Sequence, residues 1–78
     1  VFPQDEELTA MAEKVYKQIE VVGASTTSFS DAVRAAVEKA SQTVRNLDWF
    51  EVTETRGRIK DGKIEEYQVA VKIGFRLE

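Results

Sequence analysis

Hydrophobic and polar positions along this chain change period twice. From Val15 to Val22, "VYKQIEVV" sets Val15, Ile19 and Val21 on one face, with Lys17 interrupting, and Tyr16, Gln18 and Glu20 on the other. That alternation predicts a strand with one solvated side. "GASTT" (23–27) is turn chemistry. Beyond it the apolar residues Phe29, Ala32, Val33, Ala36, Val37, Ala40 and Val44 recur at spacings of three and four, while Arg34, Glu38, Lys39, Gln42 and Arg45 point away. This is the single buried stripe of a helix. Ser28, with Asp31 three positions on, gives a capping-box-like start, because the serine oxygen accepts an otherwise unpaired backbone N–H. A helix is predicted from about Ser28 to Arg45, and the small alanines on its stripe let it lie close to a sheet.

Trp49 to Ile59 and Lys63 to Leu77 then read as two long strands. Between them "KDGK" carries an Asp61-Gly62 pair, a strong signal for a two-residue hairpin with both central residues at positive φ. The order strand, helix, strand, strand predicts an α+β fold: a β-α-β-β subunit with a three-stranded antiparallel sheet and one helix packed on one face.

With Asp61 and Gly62 in the loop, Lys60 pairs with Lys63, and the register follows by counting. Phe50, Val52 and Glu54 fall opposite Ile73, Val71 and Val69; with Tyr67 and Phe75 they form the face the helix is expected to cover. Trp49 falls opposite Gly74 on the other face, with Glu51 opposite Lys72, Thr53 opposite Ala70 and Thr55 opposite Gln68, and Arg76 just beyond. A large ring on a mixed polar face is either a subunit-interface anchor or a platform on which a ligand stacks, unless a bulge shifts the register.

Size narrows the field. Seventy-eight residues make one domain, and a core that small supplies only a few kcal/mol without staples. There is no cysteine and no histidine, so disulfides and the usual zinc and haem ligand sets are excluded, and self-association is the expected source of further stability. Eleven Lys and Arg against 14 Asp and Glu leave a net charge of −3, without the electrostatic footprint of a nucleic-acid binder. No apolar run approaches the roughly 20 residues a bilayer span needs, and the N-terminus lacks the pattern of a signal peptide; the expectation is a soluble, cytoplasmic protein. Residues 1–10, acidic and aperiodic, are expected to be a disordered native tail or an expression scar, and 11–78 the folded domain.

Catalytic chemistry finds little support. The chain has no His, no Cys, no Ser-based triad and no phosphate-binding glycine loop, and its four glycines are isolated. The "ETRGRIK" segment is basic, but Glu54, Asp61, Glu65 and Glu66 balance it. Arg56 alone reads as a surface salt-bridge partner for Glu54 or Glu65, Gln68 as a solvated side chain, and Glu51 with Lys72 as a cross-strand charge pair.

The segments "KVYKQIEVVGAS" (14–25), "LDWFEVTETRGRI" (47–59), the "DG" turn and "EYQVAVKIGFRLE" (66–78) together resemble the dodecin family of small flavin-binding proteins. The resemblance spans Lys14 to Glu78. Its most specific marks are the tryptophan before a strand, Arg-Gly seven residues later, and the glutamine of "YQV" nineteen residues after the tryptophan; "GAS" stands where "GTS" is more usual. The resemblance implies a hollow homo-dodecamer holding flavins in pairs at subunit contacts between symmetry-related tryptophans. By position, Trp49 would stack on the isoalloxazine ring, Gln68 would hydrogen-bond its polar edge, Arg56 and Asp48 would line the pocket, and Arg76 would reach the polar tail or phosphate. It implies FMN as the usual ligand, with riboflavin, FAD or coenzyme A as further possibilities; for coenzyme A, Lys14, Tyr16 and Lys39 match loosely. Storage and quenching of a photoreactive cofactor suit such a site better than turnover. The rival reading is a purely structural oligomer anchored by Trp49, and an enzyme using bound flavin comes last.

Along one chain, Gln68 stands six positions from the Gly74 that faces Trp49, roughly 20 Å at about 3.3 Å per residue. One subunit therefore cannot easily put both on one flavin, which points to a pocket shared between chains.

Overall fold

A computed structural model describes residues 13–78. The expectations for 1–10 and for Met11 lie outside the described residues. Four elements follow in order: β1 (Tyr16–Ser25), α1 (Phe29–Ser41), β2 (Leu47–Lys60) and β3 (Lys63–Arg76). The strands form one antiparallel sheet in the order β1-β3-β2, and α1 packs on one face of it, as the pattern predicts.

Local chemistry accounts for the boundaries. Ser28 caps α1 by accepting the Asp31 backbone N–H at 3.0 Å, and Ser25 Oγ accepts from Thr27 N at 2.9 Å to shape the entry turn. β1 runs three residues further than expected, through Gly23 and Ala24 to Ser25, because these residues still find partners in Val69, Gln68 and Tyr67. Gly23 is required there. A Cβ would overlap the Ala32 carbonyl oxygen and approach Ala36 Cβ to 2.9 Å, so the glycine lets the helix backbone rest on the strand.

α1 stops at Ser41 rather than Arg45. Ser41 Oγ donates back to the Glu38 carbonyl, the Thr43 and Val44 amides both turn back to the Ala40 carbonyl, and Asn46 adopts φ 64°. Asn tolerates this left-handed conformation well, and it swings the chain into β2. At the hairpin, Asp61 and Gly62 both have positive φ and Lys60 pairs with Lys63, as expected.

The core is small: Ala32, Ala36 and Ala40 of α1 against Val69, Val71 and Ile73 of β3, with Ile19, Val21, Val33, Val37 and Leu47 packed around them. Because α1 lies over the two strands β1 and β3, it leaves β2 largely uncovered. Phe50 and Val52 therefore depart from the expectation of a helix-covered core: they face the α1 side but stay 54% and 38% exposed. Glu54 departs further and lies on the opposite face, because the register shifts between Val52 and Glu54.

Candidate functional site

The face of the sheet away from α1 is built from alternate residues of all three strands. Tyr16, Gln18, Glu20, Val22 and Ala24 of β1 pair with Arg76, Gly74, Lys72, Ala70 and Gln68 of β3. On the other side of β3, Trp49 pairs with Gly74 and Glu51 with Lys72, as the hairpin count predicts. Lys72 thus stands between two glutamates on neighbouring strands.

Two irregularities in β2 position the site. The first lies between Leu47 and Trp49. Residues two apart in a regular strand share a face, yet Leu47 packs against the core and Trp49 lies on the open side. The extra residue, Asp48, absorbs the reversal, as bulges do. The indole then lies over Gly74, where a Cβ would fall within the envelope of Cε2 and Cζ2 and 2.7 Å from Cδ2. One side of the ring is seated on the β3 backbone, and the residue as a whole stays 37% exposed.

The second bulge lies between Val52 and Glu54. Thr53, left over, donates its hydroxyl to the Ala70 carbonyl at 3.2 Å. Beyond it the register is advanced by one: Thr55 faces Val69 instead of Gln68, and Arg56 faces Gln68. A third shift, between Arg58 and Ile59, restores the simple count before the turn. The expected pairs Thr53–Ala70, Thr55–Gln68 and Glu54–Val69 are thereby corrected.

The site residues gather in two groups. At one end Asp48 and Arg76 join Lys14, Tyr16, Asn46 and Leu47 around a polar cleft of about 260 Å³, next to Trp49 in sequence. Hydrogen bonding to the Asp48 carboxylate, with burial and the carboxylate charge adding to it, holds the Tyr16 phenol above its ordinary range; Arg76 works the other way. At the far end Arg56 donates Nε–H to Gln68 Oε1 at 3.1 Å, and Gln68 Nε2 donates to Glu66 Oε1 at 2.7 Å. Glu54 stands 3.9 Å from Arg56 Nη1, whereas Glu65 pairs with Lys60 instead. The two groups are roughly 20 Å apart along β3 at about 3.3 Å per residue, so the chain does not bring Trp49 and Gln68 together. Lys39 is separate again, lining a groove with Ile19 and Val22 between α1 and β1.

The sequence pattern does not reveal the partnership of Tyr16 with Asp48, the role of Thr53, or Glu66 as the partner of Gln68. A bulge has no signature in hydrophobic alternation; the only available hint is that an unbroken register would bury Glu54. Among the described residues no group of three or more His, Cys, Asp or Glu is placed to hold a metal ion, and no helix is long and apolar enough to cross a membrane.

With this geometry in view, comparison with known proteins is specific. The family model described as Dodecin matches residues 15–78. The dodecin of Thermus thermophilus is 51% identical over 65 residues, covering 83% of this chain and 94% of that protein. The structure of dodecin from Streptomyces coelicolor superimposes with a TM-score of 0.83 at 54% identity, covering 87% of this chain and 97% of the other. A more distant structure, calcium dodecin from Mycobacterium tuberculosis, gives 0.73 at 31% identity, covering 82% and 91%; it is described as calcium chelating with a novel calcium-binding site. The chain belongs to the dodecin family, small self-assembling domains that bind small ligands such as flavins.

Proposed function

We propose that this protein binds FMN without catalysing a reaction, as a cytoplasmic flavin store and quencher built as a hollow homo-dodecamer. The observation that carries this reading is Trp49: its indole is seated on Gly74 on the sheet face that α1 leaves bare. A ring so held offers a flat, oriented surface to a second aromatic system.

The remaining residues fit the parts of the ligand. Gln68 carries both a donor and an acceptor on one amide, the combination needed for the imide edge of an isoalloxazine. Arg56 fixes that amide from one side. Arg76 and Lys14, at the cleft beside Asp48, supply positive charge suited to a phosphate tail. Because Trp49 and Gln68 lie roughly 20 Å apart along the strands at about 3.3 Å per residue, each ligand would take its stacking surface from one subunit and its edge contacts from another. Bound flavin supplies the redox-active ring; the protein's part is to hold and cover it.

Coenzyme A is a less economical ligand for one subunit, since Lys14 and Tyr16 line the cleft while Lys39 lines the groove beside β1. The structural-oligomer reading draws on the exposed Phe50 and Val52, which call for subunit contacts whether or not Trp49 meets a ligand. Fluorescence titration of riboflavin, FMN and FAD in turn with apo-protein separates the readings. Saturable quenching, strongest for FMN, is expected; no uptake of any flavin contradicts the proposal.

A further inference from the structure

Gly74 is buried and unremarkable in the sequence, one of four isolated glycines. Its backbone needs no special conformation, since Gly62 is the glycine at positive φ. Nor does it abut the helix as Gly23 does. The three nearest atoms a Cβ at Gly74 would meet all belong to the Trp49 indole: Cε2, Cζ2 and Cδ2, the shared edge of the two rings and the benzene carbon next to it.

A strand interior ordinarily disfavours glycine, which has no side chain to pack and loses the most backbone freedom on folding. A central strand, paired on both sides as β3 is, gives little other reason for one. A glycine inside a strand commonly marks close approach of another group, and here that group is the indole across the β2–β3 ladder.

We infer that Gly74 is the positioning residue for Trp49: the missing side chain forms a seat that holds the indole down on the sheet and aims its outer face at the ligand. The irregularity at Asp48 places Trp49 on this face of the sheet, and Gly74 sets the height and tilt of the ring. A methyl at Gly74 would lift the ring, because the other side of the contact is backbone in the centre of the sheet and cannot withdraw. Any side chain there would also occupy the space the indole now fills. The specificity of the site for a flat tricyclic ligand, as against a mere apolar contact, would then reside partly in a residue that does not touch the ligand.

The binding half of this inference rests on the flavin reading; the seating half does not. Both are tested with Gly74→Ala alone and combined with Trp49→Ala. Trp49 is the sole tryptophan, so its emission reports the seat directly, without ligand. In Gly74→Ala the apo-protein emission is expected to shift to the red and become more accessible to acrylamide. FMN affinity is expected to fall roughly 5- to 150-fold, the range that loss of one base-type stacking contact gives. In the Trp49→Ala background the same change is expected to cost less than about twofold, because the methyl then meets no ring.

An unchanged emission in Gly74→Ala overturns the inference, as does an equal loss of affinity in both backgrounds. If the parent takes up no FMN, the flavin reading fails and the emission and acrylamide results still decide the seat. If Gly74→Ala does not fold, the double variant decides: recovery of folded protein on removing the ring supports the seat, and failure of both shows that Gly74 serves something other than Trp49.

Discussion

Arg56 Nε donates to Gln68 Oε1 at 3.1 Å across the β2–β3 ladder, and the two residues meet because the ladder between the shift at Arg58/Ile59 and the shift at Val52/Glu54 is offset by one from the count set at the turn. In a straight hairpin Thr55 would face Gln68 and Arg56 would turn to the helix side. Both side chains are surface-accessible, so their contact contributes little to folding; its consequence is the orientation of an amide.

Arg56→Ala is therefore expected to leave stability within about 0.5 kcal/mol of the parent while weakening FMN binding by about 1 kcal/mol, the typical net worth of one hydrogen bond. Combined with Gln68→Ala the loss should be less than additive, since both act through one amide. Titration of the two single variants and the double checks this; fully additive losses would show that Arg56 and Gln68 act independently.

The two faces of β3 should respond differently to substitution. Val71 is fully buried against α1, so Val71→Asp places an unpaired charge in the core and is expected to prevent folding. Gln68→Ala, on the open face, is expected to leave soluble, folded protein with weakened flavin binding. Circular dichroism and soluble yield distinguish them, and equal loss in both would mean that the faces have been wrongly divided.

Exposed apolar residues argue for assembly. Phe50, Val52, Ile59 and Ile64 are all exposed on a chain whose core is a few small side chains, and no cysteine is available to staple it. Light scattering should report a mass near twelve chains, the family's assembly as the resemblance implies it. A monodisperse monomer at micromolar concentration would remove the shared pocket along with the dodecamer.

Tyr16 gives a pH prediction of definite sign. Its phenol is held above the ordinary range chiefly by hydrogen bonding to Asp48, so the folded state binds this proton more tightly than the unfolded chain does. The associated stabilisation is fully present below the ordinary tyrosine value of about 10 and is lost as pH rises through the raised folded value. Ultraviolet titration should show the Tyr16 phenol ionising above its ordinary value, and Asp48→Asn should bring it back towards that range. A Tyr16 phenol that ionises at its ordinary value of about 10 would contradict the contact.

Much of this was legible in the sequence. The periods of β1 and α1, the Ser28 cap and the Asp61-Gly62 turn are local signals, and each appears in the fold, with β1 ending three residues later and α1 four residues earlier than the pattern suggests. Trp49 opposite Gly74 and Glu51 opposite Lys72 follow from counting back from the turn. What lay beyond reach was non-local. The departure of Arg56 from the simple register depends on two shifts, one between Arg58 and Ile59 and one at Thr53, whose hydroxyl finds the Ala70 carbonyl, and the end of α1 at Ser41 goes with the Asn46 turn, whose carbonyl accepts from the Arg76 amide of β3. The exposure of Phe50 follows from strand order, since a helix over β1 and β3 cannot also cover β2; the hairpin pattern alone does not say on which side of it β1 will pair.

The central claim is that Trp49 is a stacking platform. Trp49→Ala removes the surface that would meet the isoalloxazine, a loss of about 1–3 kcal/mol per contact by analogy with base stacking on aromatic side chains. The decisive measurement is size-exclusion mass together with FMN fluorescence titration on the same samples of parent and Trp49→Ala. The expected result is an assembly of unchanged mass with weakened FMN binding and reduced quenching. An intact assembly that binds and quenches FMN like the parent, or one that falls apart before its flavin behaviour changes, would contradict it.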